Sequence, residues 1–154
     1  MTVMLHVDRI GACVGQRVAT SEWLSIDQAR VQAFADATGD HQWIHTDPER
    51  ARKGPFGAPI AHGLLTLSLI PAWLDASIQW AGAGMAINYG LNRVRFMAPV
   101  PVGSRLRAHF DLLASDPADG GALQLTWQVQ VECEGASKPV CAAELLVRLY
   151  PAAP

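Results

Sequence analysis

From Arg105 to Leu149 the sequence alternates apolar and polar residues three times over, a period of two that dictates half-buried strands. Leu106, Ala108, Phe110 and Leu112 alternate with Arg105, Arg107, His109 and Asp111. Leu123, Leu125, Trp127, Val129 and Val131 alternate with Gln124, Thr126, Gln128, Gln130 and Glu132. Cys141, Ala143, Leu145, Val147 and Leu149 alternate with Ala142, Glu144, Leu146 and Arg148. The connections at 116–121 and 134–139 are short and turn-like, so these strands predict an antiparallel meander with one face on a core. An earlier segment has the same period. Asn88, Gly90, Asn92, Val94 and Phe96 share one face, Tyr89, Leu91, Arg93 and Arg95 the other, and Pro99 and Pro101 end it.

A sheet with one apolar face needs a cover, and residues 62–80 supply it. Leu64, Leu65, Leu67, Leu69 and Ile70 span most of a helical circumference, which predicts a buried central helix. Pro71 cannot donate to the carbonyl of Leu67 and predicts a kink. Ala81-Gly82-Ala83-Gly84 reads as a flexible exit, and a short strand is expected near residues 14–19. Ser25 reads as an N-cap with Gln28 completing a capping box. Ile26, Ala29, Ala33, Phe34 and Ala37 then follow at helical spacing, and Gly39 is placed to end that helix in a left-handed conformation. Asp47-Pro48 starts a further short helix over 48–53, whereas the Gly- and Pro-rich stretch 53–59 is irregular. Helices first and strands after make an α+β fold, a single domain over 1–154 without repeats or linkers.

Half of the 154 residues are apolar and 17% are charged, more apolar than one small core requires, so some of that surface is expected between subunits. A net charge of −2 without any Lys/Arg block excludes a nucleic-acid footprint. Cys13, Cys133 and Cys141 form no Cys-x-x-Cys pair, which points to neither a disulfide framework nor a structural zinc site. His41 and His45 make a His-x3-His pair without helical context or a matching third ligand, so no metal is expected. The N-terminal stretch lacks a signal-peptide pattern, and the longest apolar run, 63–74, is too short for a bilayer. A cytoplasmic protein is the expectation.

Chemistry concentrates between Thr38 and Leu65. Asp40 leaves one helix end and His45 precedes the next helix, so a carboxylate and an imidazole share one brief, pinned connection. Gly63 then opens the apolar helix, with Ala61 and His62 offering no Ser, Thr, Asp or Asn cap. Its free N–H groups suit an oxyanion, and a glycine lets a carbonyl come close. Such a set has the parts needed to move a proton and hold an oxyanion.

The run Gly39-Asp40-x4-His45, with Phe56-Gly57 and Ile60-Ala61-His62-Gly63, resembles the MaoC-like dehydratases, which include the (R)-specific enoyl-CoA hydratases. Gly39 to His45 with Ile87-Asn88-Tyr89-Gly90-Leu91-Asn92 and Val94-Arg95-Phe96 looks closest to the nodulation-protein-N-like branch. The resemblance covers residues 20–110 strongly. It implies a hot-dog fold, an antiparallel sheet wrapped round a central helix, paired as a homodimer. It also implies reversible syn addition of water to a trans-2-enoyl-CoA, giving a (3R)-3-hydroxyacyl-CoA, with no cofactor beyond the coenzyme A of the substrate. Carried over by position, Asp40 and His45 are the catalytic pair and hold one water between them, with Gly63 at the thioester oxygen. Substrate contacts fall to Gln42, Trp43, Phe56, His62, Asn88 and Asn92. Two departures stand out. Gln42-Trp43 replaces the Asn-Pro of many members, and Pro71 stands where others carry a serine, with Ser68 the nearest hydroxyl.

Several of these residues have plainer readings. His62 at a helix start could satisfy local backbone, and Asn88 and Asn92 could bind substrate amides or pair with neighbouring strands. Trp43, Trp73, Trp80 and Phe56 are most simply core or interface aromatics. Arg93, Arg95, Arg105 and Arg107 could meet nucleotide phosphates, although a solvated strand face is the simpler account. A hot-dog thioesterase shares the fold but would mount its acid on the central helix, where only Asp75 is on offer. A non-catalytic acyl-CoA or lipid-binding module has no need of Asp40 and His45 together.

Overall fold

The computed structural model describes residues 2–152. The three late strands form as their alternation predicts: β6 (Arg105–Pro117), β7 (Leu123–Cys133) and β8 (Cys141–Pro151) pair antiparallel in sequence order. Their inward residues, among them Leu106, Phe110, Leu112, Trp127, Val129 and Val147, are fully buried. The sheet extends to β5 (Ala83–Phe96) beyond β8 and to β2 (Arg17–Thr20) beyond β6, with β3 (Leu24–Ser25) also on β6. A second ribbon, absent from the sequence expectations, pairs β1 (Val3–His6) parallel with β4 (Ile78–Ala81). The expected flexible exit at 81–84 is instead the last residue of β4, a turn at Gly82, whose φ of 90° only glycine takes readily, and the first two residues of β5.

The helices are α1 (Gln28–Thr38), α2 (Trp43–Thr46), α3 (Pro48–Arg52), α4 (Gly63–Ser68) and α5 (Ile70–Ser77). The expected capping box does not form. Ser25 is drawn into β3 opposite Arg105, and the cap is Asp27, whose carboxylate accepts from the Arg30 N–H at 2.8 Å. The buried face shifts accordingly: Val31 and Ala35 face the core, while Ala29, Ala33 and Ala37 face solvent. Alanine loses little by exposure, so the larger side chains decide which face turns inward. Gly39 closes α1 with φ 78° as expected, and Asp47 caps α3 through the Arg50 N–H.

The central helix is broken. Pro71 stands in the first turn of α5, Leu69 is the shared cap of α4 and α5, and α5 ends at Ser77, short of Trp80. Leu65, Leu69, Ile70, Trp73 and Leu74 make a stripe against the sheet. Leu64 is not part of it and is 58% exposed, so the helix is not buried all round. Beta-bulges at three places in the β5–β8 register disrupt the clean two-face split expected for β5. Met85, Ile87, Tyr89, Leu91 and Phe96 all stand exposed on this terminal strand. An antiparallel sheet curled against a central helix is the hot-dog arrangement. Among the described residues no helix is long and apolar enough to cross a membrane.

Candidate active site

Asp40 follows the left-handed Gly39 and remains solvent-exposed in the single chain, contrary to the burial a neutral-range carboxylate suggests. Its carboxylate accepts from the Gln42 N–H at 3.4 Å, an Asx-type closure. The chain then forms α2, a single turn where a loop was expected, with Gln42 as its cap and His45 on its inner side. Ile60 N–H donates to the Ile44 carbonyl at 3.0 Å, and the Ile60 carbonyl accepts from His45 Nδ1 at 2.6 Å. Residues 59–61 are themselves laddered to Val100 and Val102, which anchors this contact to the sheet side of the molecule. A carbonyl only accepts, so Nδ1 carries the proton and Nε2 of the neutral ring offers its lone pair. His45 is 6% exposed. Burial lowers its pKa below the usual imidazole value, and the neighbouring His62 pushes the same way. The Ile60 carbonyl and Asp40 oppose them.

His62 meets this pair from the other side, 3% exposed at the N-cap of α4. Its Nε2 donates to the backbone carbonyl of Asp40 at 3.0 Å, and its ring stacks on His45 with centroids 3.8 Å apart. An Asp40 carboxylate oxygen and one ring nitrogen from each histidine lie within 4.8 Å of one another. A water with two hydrogen bonds of about 2.8 Å bridges gaps of that size.

A cleft of about 310 Å³ opens beside His45, lined by Phe56, Ile60, Gly63, Thr66, Phe96 and Val100 among others. Gly63 starts α4, and His62 makes no side-chain cap there, so the backbone N–H groups at this end are not blocked by their own cap residue. The space where a Gly63 Cβ would sit is filled by the ring of Phe96, 2.9 Å from the ideal position. Glycine is thus demanded first by an aromatic wall, a reason the sequence did not reveal. Thr66, buried one turn on, Phe96, and Gln28, whose Nε2 donates to the His45 carbonyl at 2.8 Å, were not among the expected site residues. Thr66 is the polar position within the buried stripe of α4, the one signal that could have marked it.

The remaining expected residues scatter. Trp43 packs over Gly54 with the Arg50 guanidinium 4.4 Å from its ring, a local stack rather than a cleft wall. Asn88 and Asn92 are exposed on β5. Asn88 borders a different cleft, of about 320 Å³, with Leu67, Pro71 and Tyr89. Ser68 back-bonds to the Leu64 carbonyl at 2.7 Å. Arg105 and Arg107 pair with Glu134 and Glu132 and lean over Trp23, as a solvated strand face would have them.

A MaoC like domain matches residues 9–124. The chain belongs to the MaoC-like family. It is 52% identical over 148 residues to 3-hydroxyacyl-thioester dehydratase Z of Mycobacterium tuberculosis (strain ATCC 25618 / H37Rv), covering 96% of this chain and 98% of the relative. It is 46% identical to nodulation protein N of Rhizobium leguminosarum bv. viciae, over 84% and 82% of the two chains. Among solved structures, the (R)-hydratase from A. caviae superposes with a TM-score of 0.69 at 28% identity, over 87% of this chain and 94% of that one. The expected family and its nodulation-protein-N-like branch are therefore met.

Proposed function

We propose that this MaoC-like protein is an (R)-specific enoyl-CoA hydratase, acting as the 3-hydroxyacyl-CoA dehydratase in reverse. The observation that carries the reading is the convergence of an Asp40 carboxylate oxygen and a His45 nitrogen within 4.8 Å, with His45 on a cleft that Gly63 also lines. In the proposed reaction these two groups hold one water. Its oxygen adds to C3 of the enoyl thioester as its proton passes to the pair, and the pair returns a proton to C2 on the same face. The depressed basicity of His45 keeps the ring neutral near pH 7, so that Nε2 accepts rather than donates. As the thioester oxygen gains enolate charge, the Gly63 N–H at the uncapped helix start is positioned to receive it.

The protein acts as a homodimer in this reading. Among the described residues β5 ends the sheet with one edge unpaired, and it exposes Met85, Ile87, Tyr89 and Leu91 in succession. An apolar terminal strand of this length is a surface that stable proteins cover. The thioesterase alternative loses its candidate acid: Asp75 is exposed on α5 and borders a cleft with Met4, Trp80 and Met85, away from His45.

The test is loss of enoyl absorbance with trans-2-enoyl-CoAs of increasing chain length, coupled to an (R)-specific product assay. Saturable hydration with (R) product is expected. Release of free CoA thiol without hydration would instead support a thioesterase.

A further inference from the structure

We propose that His62 is the positioning residue of this site, locking Asp40 through its backbone and holding His45 through ring stacking, so that both stay in register with Gly63. The kinetic part of this inference rests on the hydratase reading; the spectroscopic part does not. Asp40 has few other constraints. Its N–H lies 3.5 Å from Thr38 Oγ1, and its carboxylate bond to Gln42 spans 3.4 Å. The 3.0 Å bond from His62 Nε2 to the Asp40 carbonyl is the shortest bond found at this residue among the described residues, and His62 is almost wholly buried. The same ring lies between Phe34, at 4.9 Å, and His45, at 3.8 Å. It is also the residue directly before Gly63, so one side chain ties together the three groups the reaction uses.

A purely space-filling residue would not leave a polar atom orphaned. Nδ1 of His62 is buried without a partner, which an aliphatic or phenyl side chain would avoid. The carbonyl of Asp40 only accepts, so His62 takes the Nε2–H tautomer, opposite to the Nδ1–H tautomer that Ile60 imposes on His45. The charged or titratable groups facing His45 are His62, from the start of α4, and Asp40, from the end of α1. The cleft wall over Phe96–Val100 and Val140 carries no titratable side chain. Removing His62 takes away one of the influences that hold the His45 pKa down, and His45 then titrates at higher pH.

The experiment compares the full-length protein with His62→Phe and His62→Gln. Phenylalanine keeps the stack and loses the donor; glutamine places an amide N–H near the Nε2 position and loses the stack. Long-range proton–nitrogen spectra of the labelled parent are expected to show opposite tautomers at His45 and His62. In both variants the His45 titration is expected to move to higher pH. With trans-2-enoyl-CoA, His62→Phe is expected to lower kcat by about 10–100-fold, the cost of a displaced catalytic group, with little change in KM. His62→Gln is expected to return most of that loss. The inference is overturned if His62→Phe melts lower but keeps wild-type kcat and an unmoved His45 titration, or if the parent spectra show matching tautomers. Should His62→Phe fail to fold, His62→Gln decides alone. A raised His45 titration with substantial turnover supports the role, and an unmoved titration overturns it. A parent protein without hydratase turnover sinks the functional reading while leaving the tautomers and titrations to judge this one.

Discussion

Replacing Gly63 with alanine separates two reasons for a glycine at the start of α4. The residue is absent from the positive-φ glycines, so its backbone accepts alanine without strain and only space is at issue. An ideal Cβ lies 2.9 Å from Cδ2 and Cγ of Phe96 and 3.1 Å from Cδ1, where ordinary contact begins at 3.4 Å. The ring must therefore retreat by about 0.5 Å or swing outward, a move that its 46% exposure permits. Overpacking of this kind costs about 1 kcal/mol at the mild end, and alanine's helix preference over glycine returns up to about 1 kcal/mol. The melting temperature is expected to move by no more than about 4 °C. Turnover is another matter. A methyl group beside the N–H proposed to receive the thioester oxygen is expected to lower kcat by about 10²–10³-fold, the loss seen when one oxyanion donor is removed.

Calorimetry and the enoyl-CoA hydration assay read the two effects separately, and the double variant Gly63→Ala/Phe96→Ala assigns the cause. If the methyl shields the N–H, removing the Phe96 ring leaves kcat low. If the damage came only from a displaced ring, the double variant recovers, and the oxyanion role of Gly63 is refuted. Wild-type kcat in Gly63→Ala alone refutes it more directly.

Asp40→Asn keeps the shape of an exposed side chain and removes its basicity; kcat should fall by about 10²–10⁴-fold while the melting temperature stays within about 2 °C. A near-normal rate in this variant would contradict the assignment of the catalytic pair. Because burial holds the His45 pKa below 6.5, the acid-side loss of kcat/KM should begin only below pH 6.5. The unfolded imidazole binds a proton that the folded one resists. The His45 contribution to stability is thus complete above pH 6.5 and is lost as the pH falls through the folded value. Melting curves from pH 8 to 5 check this, and a melting temperature that rises on acidification would oppose it. Leu91→Lys puts a charge on the open-edge strand, where Leu91 is 44% exposed, and should convert a dimer to monomer by light scattering without loss of helix or sheet signal.

Local rules were enough wherever one segment decides its own fate. The meander strands show their buried faces residue by residue, and Asp47-Pro48 starts a helix and Gly39 ends one by chemistry contained in a few neighbours. The failures share a cause: a partner distant in sequence chose between local options. Ser25 fits a cap locally, but its pairing with Arg105 leaves the cap to Asp27, which was not expected. The alternation in β5 looked as good as that in β7, but β5 is a terminal strand with bulges, so neither its faces nor its burial follow the period. The site divides along the same line. Asp40, His45 and Gly63 lie close enough in sequence to be read as a motif, whereas Phe96 reaches Gly63 only because β5 has crossed the sheet.

That division also explains why the single chain looks half-finished. Asp40 faces solvent, yet water activation and enolate protonation gain most where bulk water is excluded. Phe56, Phe96 and Met97, apolar residues of 46–49% exposure, line the cleft beside His45. In the proposed homodimer a second copy along β5 covers the exposed apolar residues of that strand, Phe96 among them, which ties the proposed interface to the cleft wall that Phe96 forms. Leu91→Lys therefore serves as a test of both: a monomer that hydrates enoyl-CoA at the parent rate would separate the site from the interface and refute the connection.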